Sequence, residues 1–297
     1  MNNVKKVFSI RDFENLSGIK AHTIRIWEKR YNLFEPERTT TNIRTYSLQS
    51  LQKLLNITLL YNNGYKISKI AKMQEGDIPL AVKEIVAKKS IKNHVLNTFK
   101  LAMINFDQVL FFNTYNTLLS DHSFRDIFKD YFVPLLHELG LLWQTDTITP
   151  AHEHFITGLI KQKIQVNIEK LQQNEATELD KIFVLYLPEE EIHEIGLLYI
   201  NYELVLRGYK TIYLGQSIPL ENLGDLNNFA ENLYFISYFT VAPTKEKINS
   251  YLDQFSTLTK GIPNLWILGR QIQLLEDEQL SSNIRTFNSI ELLVEEL

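Results

Sequence analysis

The sequence predicts a multidomain fold: a winged helix-turn-helix, a four-helix bundle and a doubly wound parallel α/β (Rossmann-like) domain. Three observations predict it. Apolar spacing is helical up to about residue 173 and changes abruptly at Lys181 to short β-branched runs separated by amphipathic stretches. Near the N-terminus, two closely spaced helical segments are followed by a Thr-rich segment with hairpin chemistry. Charge is also divided. Residues 1–75 carry 13 Lys and Arg against 6 Asp and Glu, and the other 222 residues carry 18 against 29, so the net −4 conceals a basic head on an acidic body. The expected domain boundaries are 1–75, 76–178 and 179–297.

The chain has 297 residues and 44% hydrophobic content, enough for two or three packed cores and too apolar for a disordered protein. With no cysteine there is no disulfide framework, thiolate nucleophile or Cys-ligated metal, and seven His plus carboxylates remain for metal chemistry. MNNVKKVFSIRDFE lacks a long apolar core, and no later run approaches the roughly 20 apolar residues of a membrane span. The expectation is a cytoplasmic protein with no membrane partner.

In the head, Ser9 is placed to cap a helix starting near Ile10, with Gly18 ending it. Ile24, Trp27 and Tyr31 form the inward stripe of a second helix. Residues 36–47 suit a hairpin turning near Asn42, and helical periodicity resumes over 48–60 and 66–73. Helices are expected near 80–98, 104–120, 124–139 and 150–172, with breaks short enough for antiparallel neighbours. KIFVLYLP, KTIYLG, LYFISYFT, NLWILG and NIRTF then read as five strands of a parallel sheet.

A helix pair followed by a hairpin on a basic segment suits duplex DNA. His22, Thr23 and Arg25 start the second helix, where side chains reach base edges. Arg38 and Arg44 on the hairpin are placed to clamp phosphates, with Tyr46 adding a phenolic contact. The bland reading is a solvated cationic face. Thr23-Ile24-Arg25-x-Trp27-Glu28, with Pro36-x-Arg38 and Arg44-x-Tyr46, resembles the DNA-binding domain of MerR-family transcription regulators over about 70 residues. That resemblance implies double-stranded operator DNA and a homo-oligomeric regulator. The wing tip departs from the family in carrying Asn42-Ile43 where Gly is frequent, but Asn tolerates a left-handed turn.

After the first strand of the α/β domain comes Glu191-Ile192-His193-Glu194-Ile195-Gly196. A His in a βα loop beside a carboxylate can offer one ring nitrogen to a metal while the other donates to that carboxylate, although a lone His there is more often structural or solvated. Gly196 permits close approach where the helix begins. Ser237 and Gly269 end the third and fourth strands, so all three sites converge on the carboxyl edge of the sheet.

The set resembles the cobalamin-binding domain of methionine synthase, mutases and cobalamin-dependent regulators. The resemblance implies His193 as the lower axial cobalt ligand, Glu191 as its partner, Ser237 as the hydrogen-bond partner of the buried benzimidazole tail, and Gly269 as the place where the tail passes the backbone. Glu191 replaces the family Asp. Arg270 stands where a second Gly is expected, and either obstructs the tail or pairs with its phosphate.

In the bundle, Trp143 read alone is a core aromatic and His154 a surface histidine. Trp143 followed by Glu153-His154 nevertheless resembles the light-responsive MerR-type photoreceptors of the CarH and LitR kind. There the bundle caps adenosylcobalamin: the Trp packs on the adenosyl group, the Glu holds it, and the His takes its place on cobalt after photolysis. His94, His122, His137 and His152 have no evident partner and are expected at the surface.

The favoured function is a repressor controlled by adenosylcobalamin and light, assembled as a homodimer or homotetramer. The alternative is a cobalamin-independent MerR-type regulator whose C-terminal domains serve oligomerisation or partner binding. An enzyme is disfavoured, because there is no P-loop, no Ser-His-Asp arrangement and no separate substrate domain.

Overall fold

The computed structural model describes residues 7–74, 76–88, 91–144, 147–230, 232–244, 246–260, 264–275 and 280–297. They fall into two compact units, Met1–Leu159 and Ile160–Leu297.

The first unit begins with β1 (Val7–Ser9), α1 (Ile10–Ser17), α2 (Ala21–Tyr31), β2 (Glu37–Arg38) and β3 (Arg44–Ser47). Ser9 caps α1 as expected: its hydroxyl accepts from the Asp12 N–H at 3.2 Å while the Asp12 carboxylate accepts from the Ser9 N–H at 2.7 Å. Gly18 closes the helix at φ +74°, and Asn42 turns the hairpin at φ +62°. The sequence reading missed β1. It pairs antiparallel with β3, setting Phe8 opposite Tyr46, and three residues are too few to display an alternation. Phe13 stacks on Tyr46 with ring centroids 4.2 Å apart, so this small sheet and α1 share one core.

α3 (Leu48–Asn62) and the single turn α4 (Ile67–Ile70) complete the head; α4 is shorter than the expected 66–73. The helical region follows as α5 (Asp77–Lys88), α6 (Ile91–Asn105), α7 (Gln108–Leu119), α8 (Phe124–Ile127), α9 (Val133–Gln144) and α10 (Pro150–Leu171), the last of which runs past the unit boundary. The expected helix over 80–98 is thus two, and residues 89–90 lie outside the described residues. α8 continues into α9 through one π turn, Phe128–Phe132. Phe99, Phe111 and Phe132 form an aromatic knot, with centroids 5.1 to 6.0 Å apart. Each such pair contributes about 1 kcal/mol beyond its burial.

The second unit is a five-stranded parallel sheet. Its elements are β4 (Glu178–Pro188), α11 (Ile195–Leu206), β5 (Tyr209–Ile218), α12 (Glu221–Gly224), β6 (Leu233–Tyr238), α13 (Ile248–Leu258), β7 (Asn264–Leu268), β8 (Ile284–Thr286) and α14 (Ile290–Glu295). The strand order is β5-β4-β6-β7-β8, and every neighbouring pair is parallel. Both faces are buried, which is why the strands read as nearly continuous apolar runs. Val184, Tyr186 and Phe235 belong to one core with Phe255, and Phe183, Leu185 and Ile236 to another with Trp266. Strand order reverses between β4 and β6, so a crevice is expected at the carboxyl ends of that pair.

Candidate functional site

The loop from β4 to α11 carries the His. Glu191 is fully buried, and it organises everything nearby. Its Oε1 accepts from His193 Nδ1 at 2.6 Å and from the backbone N–H groups of Ile192 and His193, each at 3.0 Å. Its Oε2 accepts from the N–H groups of Thr240, Val241 and Ala242, at 3.0, 2.6 and 3.0 Å. Burial pushes the Glu191 carboxyl up, but the backbone donors of Val241, Ala242 and His193 outweigh it and hold it below the ordinary carboxylate range.

A carboxylate acceptor at Nδ1 assigns a proton to that nitrogen and leaves Nε2 as the ring nitrogen available to a metal. The His193 side chain is 49% exposed, and Nε2 makes no hydrogen bond among the described residues. A buried carboxylate aiming a half-exposed imidazole is the donor set that an axial ligand of a metal requires.

Glu194, which sequence reasoning passed over, is also buried. Its carboxylate accepts from Lys161 Nζ, from Tyr213 Oη at 2.9 Å and from Gln216 Nε2 at 2.5 Å, tying the start of α11 to β5. Burial, then the Glu194 charge, raises the Tyr213 hydroxyl. The signal was present as a second carboxylate beside His193, but its partners are remote in sequence.

The other expected ligand contacts are occupied by the protein itself. A Cβ on Gly196 would stand 2.8 Å from the Tyr238 ring, so the close approach at the start of α11 is made by Tyr238. Gly269 has φ +107°, and a Cβ there would stand 2.3 Å from the Phe239 carbonyl oxygen. Phe239 donates to Leu268 O at 2.7 Å and accepts from the Gln271 N–H at 3.0 Å, so the backbone passing Gly269 is that of the loop after β6. Ser237 is fully buried and donates to Tyr186 O at 2.9 Å. Arg270 is exposed.

In the bundle, Glu153 and His154 lie in the first turn of α10, with Glu153 partly buried and His154 exposed. Trp143 lies in α9, and its side chain is outside the described residues. The expectation of a surface His152 is corrected. It is 2% exposed, its Nδ1 is 2.8 Å from Thr149 Oγ1, and it stacks on Phe106 at 4.7 Å.

In the head, Arg25, Arg38 and Arg44 line one shallow concavity together with Lys29. His22, Arg25 and Arg38 are exposed, and Thr23 is partly buried. Arg38 Nη1 donates to Asn42 Oδ1 at 2.6 Å across the wing. Tyr46 is not placed for phosphate. It is 2% exposed and donates to Glu28 Oε2 at 3.0 Å, while Arg44 Nε donates to Glu28 Oε1 at 2.9 Å. The Arg44 hydrogen bond to Glu28 raises the guanidinium further, and burial, then Glu28, raises the Tyr46 hydroxyl.

Residues 8–77 match the MerR HTH family regulatory protein model, and residues 95–166 match the B12 binding domain model. The chain joins a MerR-type regulatory head to a B12-binding domain. The B12 match falls on the helical region rather than on the parallel sheet. The HTH-type transcriptional repressor CarH of Myxococcus xanthus is 26% identical over 276 residues, which cover 89% of this chain and 89% of that protein. CarA of the same organism is 24% identical over 212 residues, 71% of this chain and 68% of that protein. The chain is homologous to both. In fold it is similar to the monomethylamine corrinoid protein of Methanosarcina barkeri, with TM-score 0.57 and 12% identity over 69% of this chain and all of that one. The MerR-type head marks the chain as a DNA binder, and among the described residues no helix is long and apolar enough to cross a membrane.

Proposed function

We propose that the chain is a transcriptional repressor whose grip on operator DNA is set by adenosylcobalamin and light. The carrying observation is the Glu191–His193 pair, which holds a half-exposed imidazole in a chain that also bears a MerR-type head. Homology to two named repressors supports a regulator rather than an enzyme.

The proposed domains are 1–75, 76–178 and 179–297. His193 serves as the axial nitrogen and Glu191 as the group that holds its tautomer. Glu153 and His154 sit at the start of α10, where resemblance to the photoreceptors puts the contacts to the adenosyl group, together with Trp143. Bound adenosylcobalamin would supply a light-cleavable cobalt–carbon bond. In the head, His22, Thr23 and Arg25 read bases, and Arg38 and Arg44 hold phosphates. A dimer or tetramer is the proposed DNA-bound form, in the cytoplasm. The cofactor must bind that assembly and the free protein with different affinities, because equal affinity shifts nothing.

The test is a mobility shift on the chain's own promoter with adenosylcobalamin, in the dark and after green light. Retardation in the dark and release after light is the expected result; DNA binding indifferent to both sinks the reading. A second reading, a regulator independent of cobalamin, draws on Ser237, whose hydroxyl is already spent on Tyr186 O. It predicts that desalted protein keeps no corrinoid colour.

A further inference from the structure

The crevice that the sheet topology opens between β4 and β6 is filled. Tyr186, on β4, is fully buried, and its hydroxyl is 3.1 Å from that of Tyr251 on α13. Phe239 meets Tyr251 edge-on at 5.7 Å, and Phe235 meets Tyr186 edge-on at 6.1 Å. Ser237, at the carboxyl end of β6, is held by Tyr186 O. The polar groups of this plug therefore satisfy one another, and the Phe239 backbone closes the far side against Gly269. His193, in the loop that leaves the carboxyl end of the strand bearing Tyr186, remains half exposed. The structure thus offers a corrinoid metal a nitrogen while withholding the slot at the strand ends in which a planar base could be inserted.

We infer that Tyr186 and Tyr251 act as a specificity plug: a corrinoid is held through His193 without its benzimidazole tail entering the sheet. This rests on the corrinoid reading above. A tail with no slot adds nothing to affinity, and the tail's own hold on cobalt competes with His193. The protein therefore binds a tail-less corrinoid at least as well as cobalamin, the reverse of what a tail pocket selects. Removing either ring opens the crevice and shifts the preference toward cobalamin.

The experiment titrates the full-length protein with aquocobalamin and with diaquocobinamide, following the visible spectrum as imidazole reaches cobalt. The variants are Tyr186→Ala, Tyr251→Ala and Tyr186→Phe. Tyr251→Ala is included because Tyr251 is only partly buried and its loss threatens folding less. Expected are a wild-type cobinamide affinity equal to or above that for cobalamin, a shift of about tenfold toward cobalamin in either alanine variant, and wild-type behaviour in Tyr186→Phe. A wild-type protein that binds neither corrinoid while an alanine variant takes up cobalamin overturns the inference, because the plug then excludes the whole corrinoid and not its tail alone. A wild-type preference for cobalamin of about tenfold, or an unchanged ratio in both alanine variants, overturns the plug and leaves the corrinoid reading standing. If neither corrinoid perturbs any of the four proteins, both fall.

Discussion

Glu191 and His193 are joined by a 2.6 Å hydrogen bond whose carboxylate half is fixed from elsewhere, by the backbone of Thr240, Val241 and Ala242. The orientation of the imidazole is therefore a property of the fold of the whole sheet edge. Replacing Glu191 by Ala orphans these amide donors along with Nδ1. Each buried unsatisfied donor costs about 1–3 kcal/mol, so Glu191→Ala is expected to destabilise the second unit by at least about 3 kcal/mol in urea unfolding. Loss of His193 in His193→Ala, by contrast, is expected to leave the free energy of unfolding within about 0.5 kcal/mol and to alter only the corrinoid spectrum.

Acid sensitivity follows from the same carboxylate. Its folded-state pKa lies below the ordinary value of 4.5, so its contribution to stability is complete above that value and disappears as pH falls through the depressed one. The stability gap between wild type and Glu191→Ala is expected to be constant near neutrality and to shrink on acidification below about pH 4.5. A gap that widens toward low pH contradicts this assignment.

Gly269 permits a φ of +107° and a passing backbone that leaves no room for a methyl group. Gly269→Ala must strain the chain or displace Phe239, at a cost of about 2 kcal/mol or more in thermal unfolding. Gly158, where a Cβ would meet nothing within 4 Å, provides the contrast on the helical α10: Gly158→Ala is expected to be neutral or to stabilise by up to about 1 kcal/mol.

On the DNA side, Arg38→Ala removes one cation from the exposed wing. It is expected to weaken binding to all sequences alike and to reduce the slope of log affinity against log salt by about 1. Arg25→Ala is expected to cost about 1–3 kcal/mol and to relax preference at one base pair, as a binding-site selection would reveal. Equal losses on operator and random DNA for Arg25→Ala would reassign it to the phosphates.

Architecture was legible where periodicity is long or chemistry is local. Ser9 and Asn42 each announce a conformation that their own side chain explains, Gly18 one that its lack of a side chain explains, and the five strands are apolar because both sheet faces are covered. The site was legible in part. His193 and Glu191 are two residues apart, so their pairing can be read directly, whereas the three amides that aim Glu191 come from about 50 residues downstream. Tyr46 deceived because a phenol on a wing suits phosphate, and only the packing against Phe13 and the Glu28 bond reveal a core residue. Ser237 and Gly269 sit at the expected strand ends, but their nearest partners are main-chain atoms that no spacing discloses.

Glu28 has a consequence beyond stability. A single carboxylate on α2 holds Arg44 and Tyr46 of β3, so the helix and the wing are clamped at a set separation. A head fastened in this way behaves as a caliper. The span it sets is expected to make binding respond to groove width and duplex bend, read as unequal affinity for operators that differ only at uncontacted positions.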